Sequence, residues 1–282
     1  MTVEKEDPWS SAAYQHSASF VPKLATKIIQ WLDPQKDDVI LDLGCGDGVL
    51  DVELAHILSQ GKGRVHGVDS SGAMIEAAKK LSAANANKHM VEDRCTFEVL
   101  DATDLIHKPE LQKQHVTKVF SNAALHWVLR PEAGREALFR GAREALAPGG
   151  AFVFEMGGLG NCAELRCGLL AAVGRRVGLE KAQEFDPWFF PDEDWVRHMM
   201  EETVGGWKIE RIEREWRPTA ADEGGVNGWI RLMGSNFFQA LPEEEREACI
   251  KEAVDVLEVI CAKPGGGYVY NYVRLRVVAR KI

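Results

Sequence analysis

The residues best equipped for chemistry in this 282-residue chain are glycines and acids, set close together. Asp42-Leu-Gly-Cys-Gly-Asp-Gly48 holds Gly44, Gly46 and Gly48 between Asp42 and the start of an apolar stretch, with Cys45 inside the turn. Glycines let the backbone bend tightly and let a ligand approach with no Cβ in the way. A helix start just beyond the turn offers free N–H donors to a polar or anionic group. Further acids follow. Asp69 comes where a doubly wound sheet sets a carboxylate to grip ribose hydroxyls. Asp101, in Leu100-Asp-Ala-Thr-Asp104, is placed so that it and a neighbouring N–H can read an adenine rim, while Asp104 reads as a helix cap or loop carboxylate. Together these predict a nucleoside-bearing ligand. The turn is G-x-G-x-G, with Val49 where G-x-G-x-x-G has its third glycine, so a nicotinamide-dependent oxidoreductase is the more distant alternative.

Such residues work only if strands and helices hold them at one edge. Val39–Leu43 is a short apolar run of strand length, and Val49–Ser59 is helical in pattern. Arg64–Val68, Thr96–Leu100, Lys118–Ser121 and Ala151–Phe154 read as further strands, with helices over Gly72–Ala84 and Glu132–Leu146 and a turn at Pro148–Gly150. Strands alternating with helices at this spacing predict a parallel sheet covered on both faces. Before it, Phe20, Val21, Leu24, Ile28, Trp31 and Leu32 mark one helical face, stopped at Asp33-Pro34. After Met156 the rhythm changes. Helices are expected over Cys162–Val177, Asp192–Val204, Val226–Ala240 and Pro242–Cys261. Strands are expected over Trp207–Arg217 and Tyr268–Ala279, the last with Val273, Leu275 and Val277 alternating against Arg274 and Arg276. The expected fold is α/β: a Rossmann-like, doubly wound, mostly parallel sheet with a helical cap inserted around the last strands. Residues 1–35 form an N-terminal helical lid. Residues 36–156, 206–217 and 266–282 form the core, and 157–205 and 218–265 the cap.

Composition narrows the function. With 34 Lys+Arg against 43 Asp+Glu, the net charge is −9. That argues against nucleic-acid binding, which needs a basic surface to displace counterions. No apolar run approaches the roughly 20 residues of a bilayer span. The opening Met1–Asp7 is charged with no apolar stretch behind it, so neither a secretory signal nor a membrane association is expected. A cytoplasmic protein, monomer or weak dimer, is the reading. Its six cysteines, Cys45, Cys95, Cys162, Cys167, Cys249 and Cys261, include no C-x-x-C pair, which predicts buried thiols and no metal.

Asp42–Gly48, Asp69-Ser70, Leu100-Asp-Ala102 and Asn122-Ala-Ala-Leu-His-Trp127 resemble, in order and spacing, the class I S-adenosylmethionine-dependent methyltransferases over residues 36–156. The Asn122–Trp127 block and Trp9-x-x-x-x-Tyr14 resemble the trans-aconitate methyltransferase branch. The Trp9…Tyr14…Phe20-Val-Pro22 stretch is similar to the fungal gliotoxin-type thiomethyltransferases, which cap dithiols of epipolythiodioxopiperazines. The resemblance implies that S-adenosylmethionine is the cofactor, S-adenosylhomocysteine the product, and a small molecule the substrate. The Gly44–Gly48 turn, with Gly44, Cys45 and Gly46, would pass the methionyl end, Asp42 would be a further cofactor residue, Asp69 would bind the ribose, and Ser70 and Met74 would border the adenine. Asp101 and Ala102 would contact the adenine, Asn122 would face the methionyl part and the methyl group, and Tyr14 would close over the cofactor. It also implies a last strand running antiparallel between its neighbours.

Methyl transfer from a sulfonium is an in-line displacement, so the protein chiefly aligns donor and acceptor. A thiol, with pKa near 8.5, or a carboxylate acceptor needs little help from a base. His126 is the candidate orienting residue or base, or else a histidine packed on Trp127. Phe20, Trp127, Trp188 and Arg231 are the candidate substrate contacts. Arg231 pointing inward would favour a carboxylate acceptor, and pointing outward a neutral thiol-bearing one.

Overall fold

A computed structural model describes residues 25–89, 94–112 and 116–282. Its first helix, α1 (Thr26–Leu32), ends at Asp33, whose left-handed backbone precedes Pro34. The expected alternation follows as β1 (Val39–Leu43), α2 (Val49–Leu58), β2 (Arg64–Asp69), α3 (Gly72–His89), β3 (Cys95–Val99), β4 (Val116–Asn122), α4 (Arg135–Ala145) and β5 (Leu146–Gly157). The strand β5 takes in the expected Pro148–Gly150 turn, because Leu146 already pairs with Val116 and a register shift before Lys118 absorbs the irregular stretch. Short helices escaped the periodicity, among them a 3-10 turn at Ala102–His107 and the single turns Pro109–Gln112 and Leu125–Val128, together with Leu179–Glu184. Elements of four to six residues are too short for a 3.6-residue period to register.

The seven strands form one sheet in the order β3-β2-β1-β4-β5-β7-β6. The strands β1 to β5 run parallel, and β7 (Val269–Lys281) runs antiparallel between β5 and β6 (Trp207–Ala220), as the resemblance implied. This is the expected α/β doubly wound sheet. The first strand pairs with β2 on one side and β4 on the other, so the chain reverses its direction of winding there. Sheets of this kind bind ligands in the crevice at that reversal, beyond the carboxyl ends of the strands.

Burial explains why the sheet holds its shape. Leu41, Leu43, Phe139, Phe152 and Phe154 pack on one face, and Ile28, Ile40, Leu54 and Phe120 on the other. A separate apolar cluster joins α5 (Ala163–Val177), α6 (Gly225–Met233) and α7 (Glu243–Cys261) to Tyr270 and Tyr272 at the start of β7. This is the cap. Val196 and Met200, in the stretch 157–205, pack with the sheet cluster instead, so that insertion contributes to both layers. Among the described residues no helix is long and apolar enough to cross a membrane.

Candidate active site

The glycine turn is tied down by its neighbours. The N–H groups of Gly44 and Cys45 both donate to the Val68 carbonyl, at 2.8 and 3.1 Å, which pins the turn to β2. Gly44 is left-handed (φ +76°), and a Cβ there would lie 2.2 Å from the Cβ of Ala124. Only glycine lets the turn meet the loop after β4 this closely. Gly46 (φ +57°) has nothing among the described residues within 4 Å of the place its Cβ would occupy, which leaves its backbone open to a ligand on that side. Asp69 locks the arrangement, because its Oδ2 accepts from Gly46 N–H at 3.0 Å and its Oδ1 from Ser71 N–H at 2.9 Å.

Above these strand ends lies a cavity of about 250 Å³. Of the sequence-predicted cofactor residues, Gly44, Gly46, Asp69, Ser70, Met74, Asp101, Ala102 and Asn122 line it. Asp101 also caps the 3-10 turn, accepting from Thr103 N–H at 2.9 Å, the role the sequence reading gave to Asp104. Asn122 Oδ1 is buried with no hydrogen-bond partner among the described residues, an acceptor available to a ligand's donor. Open glycine backbone, a carboxylate at each of two neighbouring strand ends and an orphaned amide oxygen fit the polar groups of an adenosyl methionine.

Two predicted residues sit elsewhere. Asp42 and Cys45 lie beneath the turn and do not line the cavity, since Asp42 is buried in the sheet and the Cys45 side chain tucks against Gly67. Burial, and then the charges of Asp51 and Asp69, push the Asp42 carboxyl well above its ordinary value. Burial likewise raises Asp51, to about 7, against the lowering effect of its own backbone N–H, and its carboxylate oxygens have no other partner among the described residues. Tyr14 and Phe20 fall outside the described residues.

A second, smaller cavity of about 50 Å³ adjoins the first, and Ala123 and Trp127 belong to the walls of both. Trp127, Trp188, Phe190, Trp229 and Met233 give it an apolar wall, and His126, Asn161 and Arg274 add polar groups. Trp188 is central, with ring centroids 5.7 Å from Trp127, 5.9 Å from Phe190 and 5.8 Å from Trp229. Asp186 fixes this tryptophan by accepting from its N–H at 3.1 Å while pairing with Arg166. Trp229 Nε1 donates to the Tyr272 hydroxyl at 2.7 Å, which joins the cap to β7. Both left-handed non-glycine residues in this region, Ala123 (φ +59°) and Cys162 (φ +48°), line the pocket, and backbone held in such conformations concentrates at functional sites.

Trp127 and Trp188 therefore lie in the pocket, and Arg231 does not. It is exposed, donating to Asn227 and bidentate to Glu247, because the helix α6 turns Trp229 and Ile230 inward and Arg231 to the outside. The cation facing the pocket is Arg274. Its strand looked one-sided in sequence, yet both of its faces are covered, and Arg274 and Arg276 are buried with Glu155. Burial pushes the Glu155 carboxyl up, but Arg274, Arg217 and Arg276 outweigh it and hold it below its ordinary range. The signal that could have revealed Arg274 was the pairing of two arginines in one apolar strand with a single acid ending another, Ala151-Phe-Val-Phe-Glu155.

A family model described as a methyltransferase domain matches residues 34–171. An uncharacterized methyltransferase of Schizosaccharomyces pombe is 37% identical over 279 residues, covering 98% of this chain and 99% of that protein. A trans-aconitate 2-methyltransferase of an Acidovorax species is 29% identical over 148 residues, 52% of this chain and 49% of the relative. Among solved structures, a geranyl diphosphate methyltransferase in complex with S-adenosylmethionine shares the fold with a TM-score of 0.51 at 15% identity, over 92% of this chain and 85% of its own.

Proposed function

This chain belongs to the S-adenosylmethionine-dependent methyltransferases, and from that premise we propose that it methylates a small molecule seated in the aromatic pocket, at a thiol of a gliotoxin-like dithiol secondary metabolite. The observation that carries the reading is the junction of the two cavities at Ala123 and Trp127, beside Asn122. A donor held over the strand ends and an acceptor held between the tryptophans would meet there. The family membership removes the nicotinamide alternative.

Bound S-adenosylmethionine supplies a methyl carbon already activated on a sulfonium. The chain's own residues then have to orient and to exclude water. Asp69, held by Gly46 and Ser71, would bind the ribose hydroxyls, and Asp101 with Ala102 would receive the adenine beside Ser70 and Met74. Asn122 Oδ1, buried without a partner among the described residues, would accept from the methionyl end. Trp127 forms the wall at the transfer point, where its ring face favours positive charge. Alignment of this kind can lower the barrier by roughly 7–11 kcal/mol.

The apolar walls and the outward Arg231 favour a largely neutral, thiol-bearing molecule. The buried Arg274 favours a second reading, O-methylation of a small carboxylate of the trans-aconitate kind. One incubation separates them: purified protein with S-adenosylmethionine and matched dithiol, carboxylate and phenol compounds, with the products weighed. The thiol reading expects one or two added methyl groups on the dithiol alone. Methylation confined to the carboxylate would replace it with the second reading.

A further inference from the structure

His126 is the only histidine lining either cavity among the described residues, and its hydrogen bonding decides what it can do. Its Nδ1 faces the backbone N–H of Gly157 at 3.3 Å. An amide N–H can only donate, so Nδ1 is the bare nitrogen and the ring hydrogen sits on Nε2. No protein group among the described residues bonds to Nε2, and the ring lines the acceptor pocket.

We propose that His126 is a fixed Nε2–H donor and not a base, and that the acceptor enters the pocket already deprotonated, held between this N–H and the guanidinium of Arg274. This rests on the methyltransferase reading above and names the charge state of its acceptor.

The surroundings agree with it. A second proton on Nδ1 would meet the Gly157 N–H head on, inside a buried pocket beside a cation. Burial, and then Arg274, hold His126 well below the ordinary histidine range. The other titratable groups of this pocket are Cys162 at the start of α5 and Tyr272 on β7, and burial keeps both neutral. Behind them Glu155 on β5 is shared by three arginines. Arg274 bonds to Glu155 through Nε alone, at 2.9 Å, which leaves its terminal nitrogens without a protein partner among the described residues. In the wider cluster the carboxylates of Glu155, Glu213 and Glu215 face Arg217, Arg274, Arg276 and Lys27, which leaves one positive charge in excess. An anion bound at Arg274 completes it.

The step then balances without a proton in flight. A thiol loses its proton to solvent before it enters the pocket. The thiolate sulfur forms the new bond to the methyl carbon as the donor's S–CH₃ bond breaks, and that electron pair remains on the donor sulfur, which becomes a neutral thioether. A carboxylate acceptor follows the same course with no ionisation beforehand.

Nitrogen-15 NMR of histidine-labelled enzyme with S-adenosylhomocysteine tests the tautomer without turnover. The expected result is a bare Nδ1 and a protonated Nε2 for His126, unchanged between about pH 6 and 9. A signal that titrates in this window, or that shows the hydrogen on Nδ1, overturns the proposal. The second arm measures kcat/KM against pH with two thiols whose pKa values differ by about two units. The inflection should move with the thiol and be absent with a carboxylate. An inflection that stays at one pH for every acceptor, and disappears in His126→Gln, would mean a base after all. Glutamine keeps a donor, so His126→Gln should stay within about tenfold of wild type, while His126→Leu should raise the acceptor KM further with cofactor affinity retained. Should no compound be methylated, the function fails while the NMR arm still judges the histidine.

Discussion

The two cavities that meet at Trp127 are built in opposite ways. The larger is made mostly by short runs of residues just beyond the ends of β1, β2, β3 and β4, with the glycine turn among them. The smaller is assembled from side chains separated by up to 151 positions, Ala123 to Arg274, contributed by the loop after β4, the cap helices and β7. The first depends on a turn that only glycine can make, the second on aromatic packing that many side chains could supply. Backbone geometry is therefore expected to tolerate little in the cofactor cavity, whereas the acceptor pocket can change its contents while the fold persists.

The most severe test of this contrast is Gly44→Ala. The new Cβ would press on Ala124 with the backbone left-handed, so affinity for S-adenosylhomocysteine should fall more than about a hundredfold by calorimetry. Retained affinity would show that the turn is not the rigid part. Next comes Trp188→Leu, which empties one wall of the acceptor pocket. Here KM for the acceptor should rise about tenfold, with cofactor affinity within about twofold. A parallel loss of both would erase the distinction between the cavities.

Asp51→Asn probes the floor beneath the turn through stability. In the folded chain Asp51 is pushed up to about 7 by burial, and beyond its own backbone N–H its oxygens have no partner among the described residues. In the unfolded chain an aspartate titrates near about 4. Between those values the native protein binds the proton and the unfolded chain does not, so ionised Asp51 costs stability increasingly as the pH rises. The amide should therefore raise stability by about 1–3 kcal/mol at pH 8, and the gain should vanish toward pH 4 in denaturant titrations. His126 contributes a slope of the opposite sign. Its folded pKa lies below the unfolded value, so its contribution is complete above about pH 6.5 and is lost as the pH falls below it. Arg231→Ala is the smallest of the four. Its pair with Glu247 is exposed, so neither Tm nor the acceptor KM should move measurably.

What the amino-acid order determined by itself is local. The glycine turn, the acids at 69 and 101, and the strand–helix alternation all lie within stretches whose chemistry and period are set by near neighbours. Eight of the predicted cofactor residues accordingly fall on one cavity. Asp42 belongs to the same motif but points under it, because a seven-residue stretch states which residues form the turn and not which face of the sheet each side chain takes. The acceptor pocket was decided only by tertiary structure. Pairing β7 against β5 carries Arg274 to Glu155, 119 positions away, and covers a strand face that alternation alone would leave to water. The turn of α6 likewise sent Arg231 outward, although it stands two residues from Trp229 in the pocket wall. Periodicity reports that a strand or helix has two faces, but burial of each face depends on which distant segment packs against it.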